Sequence, residues 1–322
     1  MTLCARYFSN AVRQVFAELF ENGAASWLIS LLKKYASDKV ILELCLRAIN
    51  NLAFYMEDPA AVELVKQEAL LWIQQTMKHN LDDTSIQVAG CSAIQNICTS
   101  IAEHKDAAAN LGIVDTVVEV MRLYPAEPSV QASCDWTLSV LCASHVKNSH
   151  QVSKLGGVEL SIRAMNAFPE IDEVQAAACC LMTNLIQSDA SKYQRELTKA
   201  GAIEATLQAL RAHPANSRVQ FQGCTALGHL VGENIPNQTK TFELNGLELV
   251  LRAARTNRAD ELVQYSVCRA LRNLSDDIKH HLMLAKEGAI TVIKNALHKF
   301  PSTEVSQDAG MFLVKLKWQM CT

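Results

Sequence analysis

Thiols, imidazoles and guanidiniums are the side chains here that could do chemistry. The chain of 322 residues contains eleven cysteines. Cys91, Cys179, Cys224 and Cys268 fall in one register of about 44 residues, with Cys134 one residue early. A metal site needs several ligands converging on one point. Residues spaced this far apart form a row instead, so small buried packing residues are expected. Cys179-Cys180 and His280-His281 lack companions that would complete a metal site. The chain carries no phosphate-binding glycine loop, HExxH, GxSxG or paired CxxC. No catalysis, cofactor or metal is therefore expected. What remains is recognition chemistry. Arg269 and Asn273 are i and i+4 on one predicted helix, so their side chains share a face, and Arg272 borders it. A guanidinium presents a planar fork to carboxylates and phosphates, and a side-chain amide offers both donor and acceptor to a peptide backbone.

The elements that must position these residues repeat. Four segments align without a gap, beginning at Asn110, Lys154, Lys199 and Glu243. Their turn residues are Gly112, Gly156, Gly201 and Asn245; Gly288 continues the series downstream, and Glu68 and Gly23 upstream. The spacings are 45, 44, 44, 45, 44 and 43 residues. The turn needs a positive φ, which glycine adopts freely and asparagine tolerates; Glu68 is the exception. After each turn apolar residues recur at helical spacing, as at Ile203, Leu207 and Leu210. Pro125, Pro169, Pro214 and Pro301 share one repeat position and end that helix. A longer third helix follows, carrying Val219, Gly223, Ala226, Leu227 and Leu230 in repeat five. A short amphipathic helix precedes each turn, and Asp58-Pro59 reads as an N-cap and N1 pair at one such start. Ala11 to Phe20 reads as the first helix of the series.

Composition agrees with an all-helical chain. Apolar residues make up 49 % and aromatics 6 %, with only 12 glycines and 7 prolines. The net charge of −3 argues against a general nucleic-acid binder, which is usually markedly basic. Residues 1–200 carry 16 basic and 22 acidic side chains, residues 201–322 carry 14 and 11; the second part is the better place for an acidic partner. No apolar run is long enough to insert into a membrane. The acid-poor N-terminus loosely suggests a transit peptide, but the helix reading suits it better. Cysteines placed inside predicted helices suggest a reduced compartment. The expected location is cytoplasmic, with nucleus and mitochondrion as alternatives.

With the turn glycine, the Val-Gln opening of helix three (Val130-Gln131, Val174-Gln175, Val219-Gln220, Val263-Gln264, and Ile86-Gln87) and the Ala270 to Leu274 stretch on the page, the chain resembles the armadillo repeat. The long spacing with a proline in the second loop is similar to armadillo proteins of protists and to the armadillo regions of large leucine-rich-repeat kinases. The resemblance implies an all-α, right-handed solenoid over residues 1–322, with repeats at about 10–54, 55–99, 100–143, 144–187, 188–232, 233–276 and 277–322.

It further implies that helix three lines a concave groove, where a ladder of asparagines holds an extended partner. The ladder positions here are Asn51, Asn96, Val140, Asn184, His229, Asn273 and Lys315. One turn earlier, importin-type receptors carry a tryptophan array; here only Trp136 fits, beside Arg47, Arg269 and others, which disfavours a basic nuclear-localisation peptide. The partner-binding residues expected are Asn51, Asn96, Trp136, Asn184, His229, Arg269, Arg272 and Asn273. The expected function is a non-catalytic scaffold or adaptor for an extended, acidic protein segment. The alternatives are a structural subunit of a larger assembly and the regulatory armadillo region of a larger enzyme. Phe312, Leu316 and Trp318 are expected to form an apolar face at the C-terminal end that contacts another chain.

Overall fold

A computed structural model describes the backbone of residues 3–301 and 304–320, and the side chains of 11–277, 279–301 and 304–314. Its regular structure is helical, and no strand occurs among the described residues. The residues group into two compact units, Met1–Gly157 and Val158–Thr322. In the first, the third helices Lys39–Lys66, Thr84–Cys98 and Pro128–Cys142 pack in succession. In the second, Asp172–Ser188, Ser217–Val231, Glu261–Asn273 and Glu304–Met320 do the same. First and second helices, such as Ala190–Ala200 and Ala202–Ala212, pack against these stacks.

All seven turn residues adopt the left-handed conformation, with φ between 58 and 93°. Glu68 does so at φ 63°, against a steric cost of about 1 kcal/mol for a side chain with a Cβ. The first helix starts earlier than its apolar pattern suggests, running Leu3–Glu21. Lys39–Lys66 is continuous by hydrogen bonding, but Glu57 (φ 53°, ψ −136°) breaks it into the third helix of repeat one and the first of repeat two. Pro59 therefore stands in the opening turn of the second segment. Four third helices begin on side-chain caps: Asp38, Asp83, Asn216 and Asp260 each accept from main-chain N–H groups of the first turn.

The Val-Gln motif has a structural role. Gln87, Gln131, Gln175, Gln220 and Gln264 are buried, and each Nε2 donates to two carbonyls at the end of the preceding second helix, at 2.8–3.1 Å. The acceptors lie ten and seven residues upstream: Met121 and Tyr124 for Gln131, Met165 and Phe168 for Gln175. In repeats three to five a proline adds to the need, whereas Gln87 and Gln264 make the same bonds with Leu81 and Arg258 at the proline position. The carbonyls of Met121, Met165 and Leu210 would look for an N–H four residues on, at Pro125, Pro169 and Pro214, which have none. The glutamine amide supplies the missing donor.

A second set of side chains closes the ends of the third helices. His104, Asn148 and Asn237 donate to the carbonyls of Ile97, Leu141 and Leu230 at 2.7–2.9 Å, each seven residues earlier. Gln194 donates to His229 and Gly232 carbonyls at 2.8 Å, and the buried Lys105 to the Ala143 carbonyl at 2.8 Å. His280 and His281 occupy these same two repeat positions. His281 Nε2 donates to the Ser275 carbonyl, and His280 stacks on Phe242 while facing Gln238. The histidine pair thus belongs to the helix-end closure.

Cys91, Cys134, Cys179, Cys224 and Cys268 are buried. Burial pushes the Cys224 and Cys268 thiols up to about 12, so they pack as small apolar groups. Cys91 and Cys134 bring their sulfurs within 3.9 Å of each other, closer contact than a row of separated residues requires. Phe312, expected on an exposed face, is fully buried: its side chain points into the stack, and the expectation is corrected for that residue. Leu316 and Trp318 lie outside the described side chains. No described helix is long and apolar enough to cross a membrane.

Candidate partner-binding site

The ladder positions sit late on the third helices, and their amides are already in use. Asn51 is exposed, its Oδ1 accepting from Asn50 Nδ2 at 3.2 Å. Asn96 donates to the Asn50 carbonyl and side chain, at 3.2 and 2.8 Å. Asn273 donates to the Gly228 carbonyl at 2.9 Å and accepts from Arg272 Nε at 3.2 Å. In both cases the amide NH₂ ties a third helix to the one before it. The remaining lone pairs of the oxygen are what such an asparagine can offer a partner. Trp136 and Asn184 are half-buried on Pro128–Cys142 and Asp172–Ser188.

The charged candidates are also engaged. Arg272 forms an ion pair with Asp308 of the next third helix, and its guanidinium also meets Met311 Sδ at 3.9 Å. Asp308 is buried, so this pair is shielded from water and salt. Arg269 is half-buried; its Nη1 reaches the Tyr265 hydroxyl at 3.4 Å and its Nε is buried without an acceptor. His229 faces Gln187, 3.3 Å between nitrogens. Burial, and then the Arg269 charge, lowers the His229 pKa to about 4, so the imidazole is neutral at pH 7 and accepts from the Gln187 amide.

Two open pockets coincide with ladder positions. Within residues 158–322, His229, Arg272 and Asn273 line one of about 700 Å³, together with Asp189, Glu233 and Asp276. Within residues 1–157, Asn96 lines another of about 400 Å³, beside Phe54, Tyr55 and the exposed Arg13–Glu57 ion pair. Asn51, Trp136, Asn184 and Arg269 line neither. The structure thus brings together three of the residues singled out in the second unit and one in the first.

Sequence reasoning missed Asp189, Glu233 and Phe54, and read Asp276 only as neutralising the arginines. Asp189, Glu233 and Asp276 recur at 44 and 43 residues, a register signal readable once the repeat is aligned. Phe54 is 61 % exposed on the helix that carries Asn51, three residues beyond it. An apolar residue at a turn of helix three gives no sequence sign of that exposure.

Comparison with known proteins supports the architecture. A family model described as the LRRK2 ARM repeat matches residues 23–241. An engineered protein of known structure superposes with a TM-score of 0.75 at 20 % identity, covering 97 % of this chain and 74 % of that one. A chain from a study of a phosphorylation switch in the cadherin–β-catenin interaction gives 0.71 at 16 % identity, over 92 % of this chain and 54 % of that one. A designed armadillo repeat protein in complex with the peptide (KR)4 gives 0.61 at 17 % identity, over 77 % and 99 %. No curated protein matches. The αL turn series, the stacked third helices and the match over residues 23–241 agree: the chain is an all-α armadillo solenoid and belongs to the LRRK2-type armadillo repeat family.

Proposed function

We propose that the chain is a non-catalytic interaction scaffold that holds an extended segment of a partner protein against its third helices. The observation that carries this reading is the coincidence of ladder residues with open pockets in each unit, at Asn96 in one and at His229 and Asn273 in the other. Successive third helices lie roughly 9–10 Å apart, about three residues of extended chain at 3.3 Å each. Within one unit, a segment crossing them can therefore present about every third side chain to a successive third helix. A designed armadillo protein takes up the (KR)4 peptide, which shows that this fold can serve that purpose.

The charge of the segment follows from the lining. Asp189, Glu233 and Asp276 face the larger pocket against Arg272, which Asp308 already neutralises, while His229 is uncharged at pH 7. That lining favours a Lys or Arg side chain at this point. An acidic segment, which the arginines suggest from sequence, is the second reading; the unpaired, buried Nε of Arg269 favours it.

Fluorescence anisotropy with extended peptides carrying alternating Lys/Arg or alternating Asp/Glu separates the two. On the first reading Glu233→Lys weakens the cationic peptide at least tenfold. On the second, Arg269→Glu, which leaves the Arg272–Asp308 pair in place, weakens the acidic peptide at least tenfold while the helical spectrum is kept. If neither peptide binds better than a neutral Gly/Ser peptide, the groove reading fails and a structural subunit, or the regulatory region of a larger enzyme, takes its place.

A further inference from the structure

A smaller pocket lies away from the ladder, between the ends of the second helices of repeats six and seven. It encloses about 290 Å³ and is lined by Arg255, Arg258, Asn295 and Lys299, over a floor of Ala254 and Val292. No carboxylate lines it. This sets it apart from the larger pocket, where carboxylates outnumber cations. We propose that it is an anion site for a phosphate monoester, presented on a phosphorylated side chain of a partner.

The reasoning starts from how little of this positive charge is used. Arg258 spends its Nε on the Arg255 carbonyl at 3.1 Å. Lys299 places its Nζ 5.9 Å over the Phe300 ring. Neither forms an ion pair among the described residues. Arg255 meets Glu248 only at 3.5 Å, both side chains about half exposed, and such a pair contributes little in water. Its other terminal nitrogen donates to the Glu287 carbonyl at 3.3 Å, which fixes the guanidinium across the gap to the next repeat.

Compensation of helix dipoles is the competing account, since Arg255 and Lys299 stand in the last turns of Gly246–Thr256 and Ala289–Lys299. It explains one cation per helix end. It does not explain Arg258, which lies beyond its helix in the loop and converges on the same space. At the starts of third helices, by contrast, two cations are met by acids: Lys39 pairs with Asp82 at 2.7 Å, and Arg218 with Glu173 at 2.5 Å. In repeat six the loop acid, Asp260, is spent on capping Val263 N–H. Two guanidinium forks, one ammonium and an amide donor match the oxygens of a tetrahedral dianion. The volume lies at the lower edge of small-ligand pockets, about 300–1,000 Å³, which suits one phosphoryl head better than a nucleotide.

The test is titration of the full chain, followed by NMR shifts of the Asn295 side-chain amide, at constant ionic strength. Three probes are used: inorganic phosphate, a short Gly-phosphoserine-Gly peptide and the same peptide with serine. The expected result is saturable binding of the phosphopeptide, at least tenfold tighter than the serine peptide. Arg258→Glu with Lys299→Glu, both at the surface, should remove it with an unchanged helical spectrum, whereas Lys279→Glu, an exposed cation outside the pocket, should leave it intact. Equal binding of the two peptides, undiminished binding by the double variant, or equal loss in Lys279→Glu each overturns the proposal. Saturable binding of inorganic phosphate without the phosphopeptide overturns the partner assignment.

Discussion

Replacing Gln131 with leucine tests the coupling between the repeat proline and the repeat glutamine. Gln131 is 2 % exposed, and its Nε2 bonds the Met121 and Tyr124 carbonyls at 2.8 Å each. Leucine fills nearly the same volume, so packing changes little. The Tyr124 carbonyl keeps a turn bond from Glu127 N–H at 3.2 Å and loses about 1 kcal/mol. The Met121 carbonyl loses its donor outright, because Pro125 has no N–H to offer, and an orphaned buried carbonyl costs about 1–3 kcal/mol. The expected destabilisation is about 2–4 kcal/mol. In repeat six, Gln264 serves Ala254, whose fourth neighbour is Arg258 and not proline. Gln264→Leu should therefore cost less, about 1–2 kcal/mol. Urea unfolding followed by circular dichroism measures both. The decisive measurement is a double-mutant cycle of Gln131→Leu with Pro125→Ala. Restoring an N–H at 125 should recover about 1 kcal/mol of the glutamine loss, a coupling the cycle isolates from the unfolded-state effect of removing proline. A coupling indistinguishable from zero would refute the reasoning.

Three further outcomes are expected. Glu68→Gly should stabilise the fold by about 0.5–1 kcal/mol, because it relieves a left-handed side chain at some cost in unfolded-state entropy; a lower urea midpoint would contradict it. His229 has a folded pKa of about 4, below its usual 6.5. The unfolded chain therefore takes up this proton first as pH falls, and stability is lost between about pH 6.5 and 4, by about 3 kcal/mol in all. His229→Gln should flatten that part of the pH–stability profile, and an unchanged slope would count against the shift. Lys105→Gln should be nearly neutral, since Gln194 and Gln238 stand at that position in repeats five and six, whereas Lys105→Leu should cost about 1–3 kcal/mol by uncapping the Ala143 carbonyl; equal effects in thermal unfolding would remove the capping account.

Much of the fold was legible because a single backbone requirement recurs. A positive φ every 43–45 residues selects glycine or asparagine and marks each unit. Glu68 was the weak point of that reading, yet its backbone follows the rest, since the packing of flanking helices outweighs about 1 kcal/mol of local strain. The Val-Gln pair was visible as a motif, but its purpose was not: a donor to carbonyls ten residues back appears only when the hairpin is closed. The site was less legible. Asn96 and Asn273 could be placed on the right face, but a sequence does not show that their NH₂ groups are spent on Asn50 and Gly228. Nor does it show that Arg272 is held by Asp308, a residue 36 positions away.

The glutamine closure also sets an order of events during synthesis. Each latch needs only the ten residues that follow its carbonyl. At about 5–20 residues per second, those emerge within about 0.5–2 s. The bond from Asn273 back to Gly228 must instead wait for 45 residues, about 2–9 s at the same rate. A newly made hairpin of second and third helices is therefore sealed in its polar ends while its apolar flank still lacks a neighbour. For those seconds the nascent chain exposes a single apolar face, renewed with every repeat, and that moving face is where a chaperone would be needed.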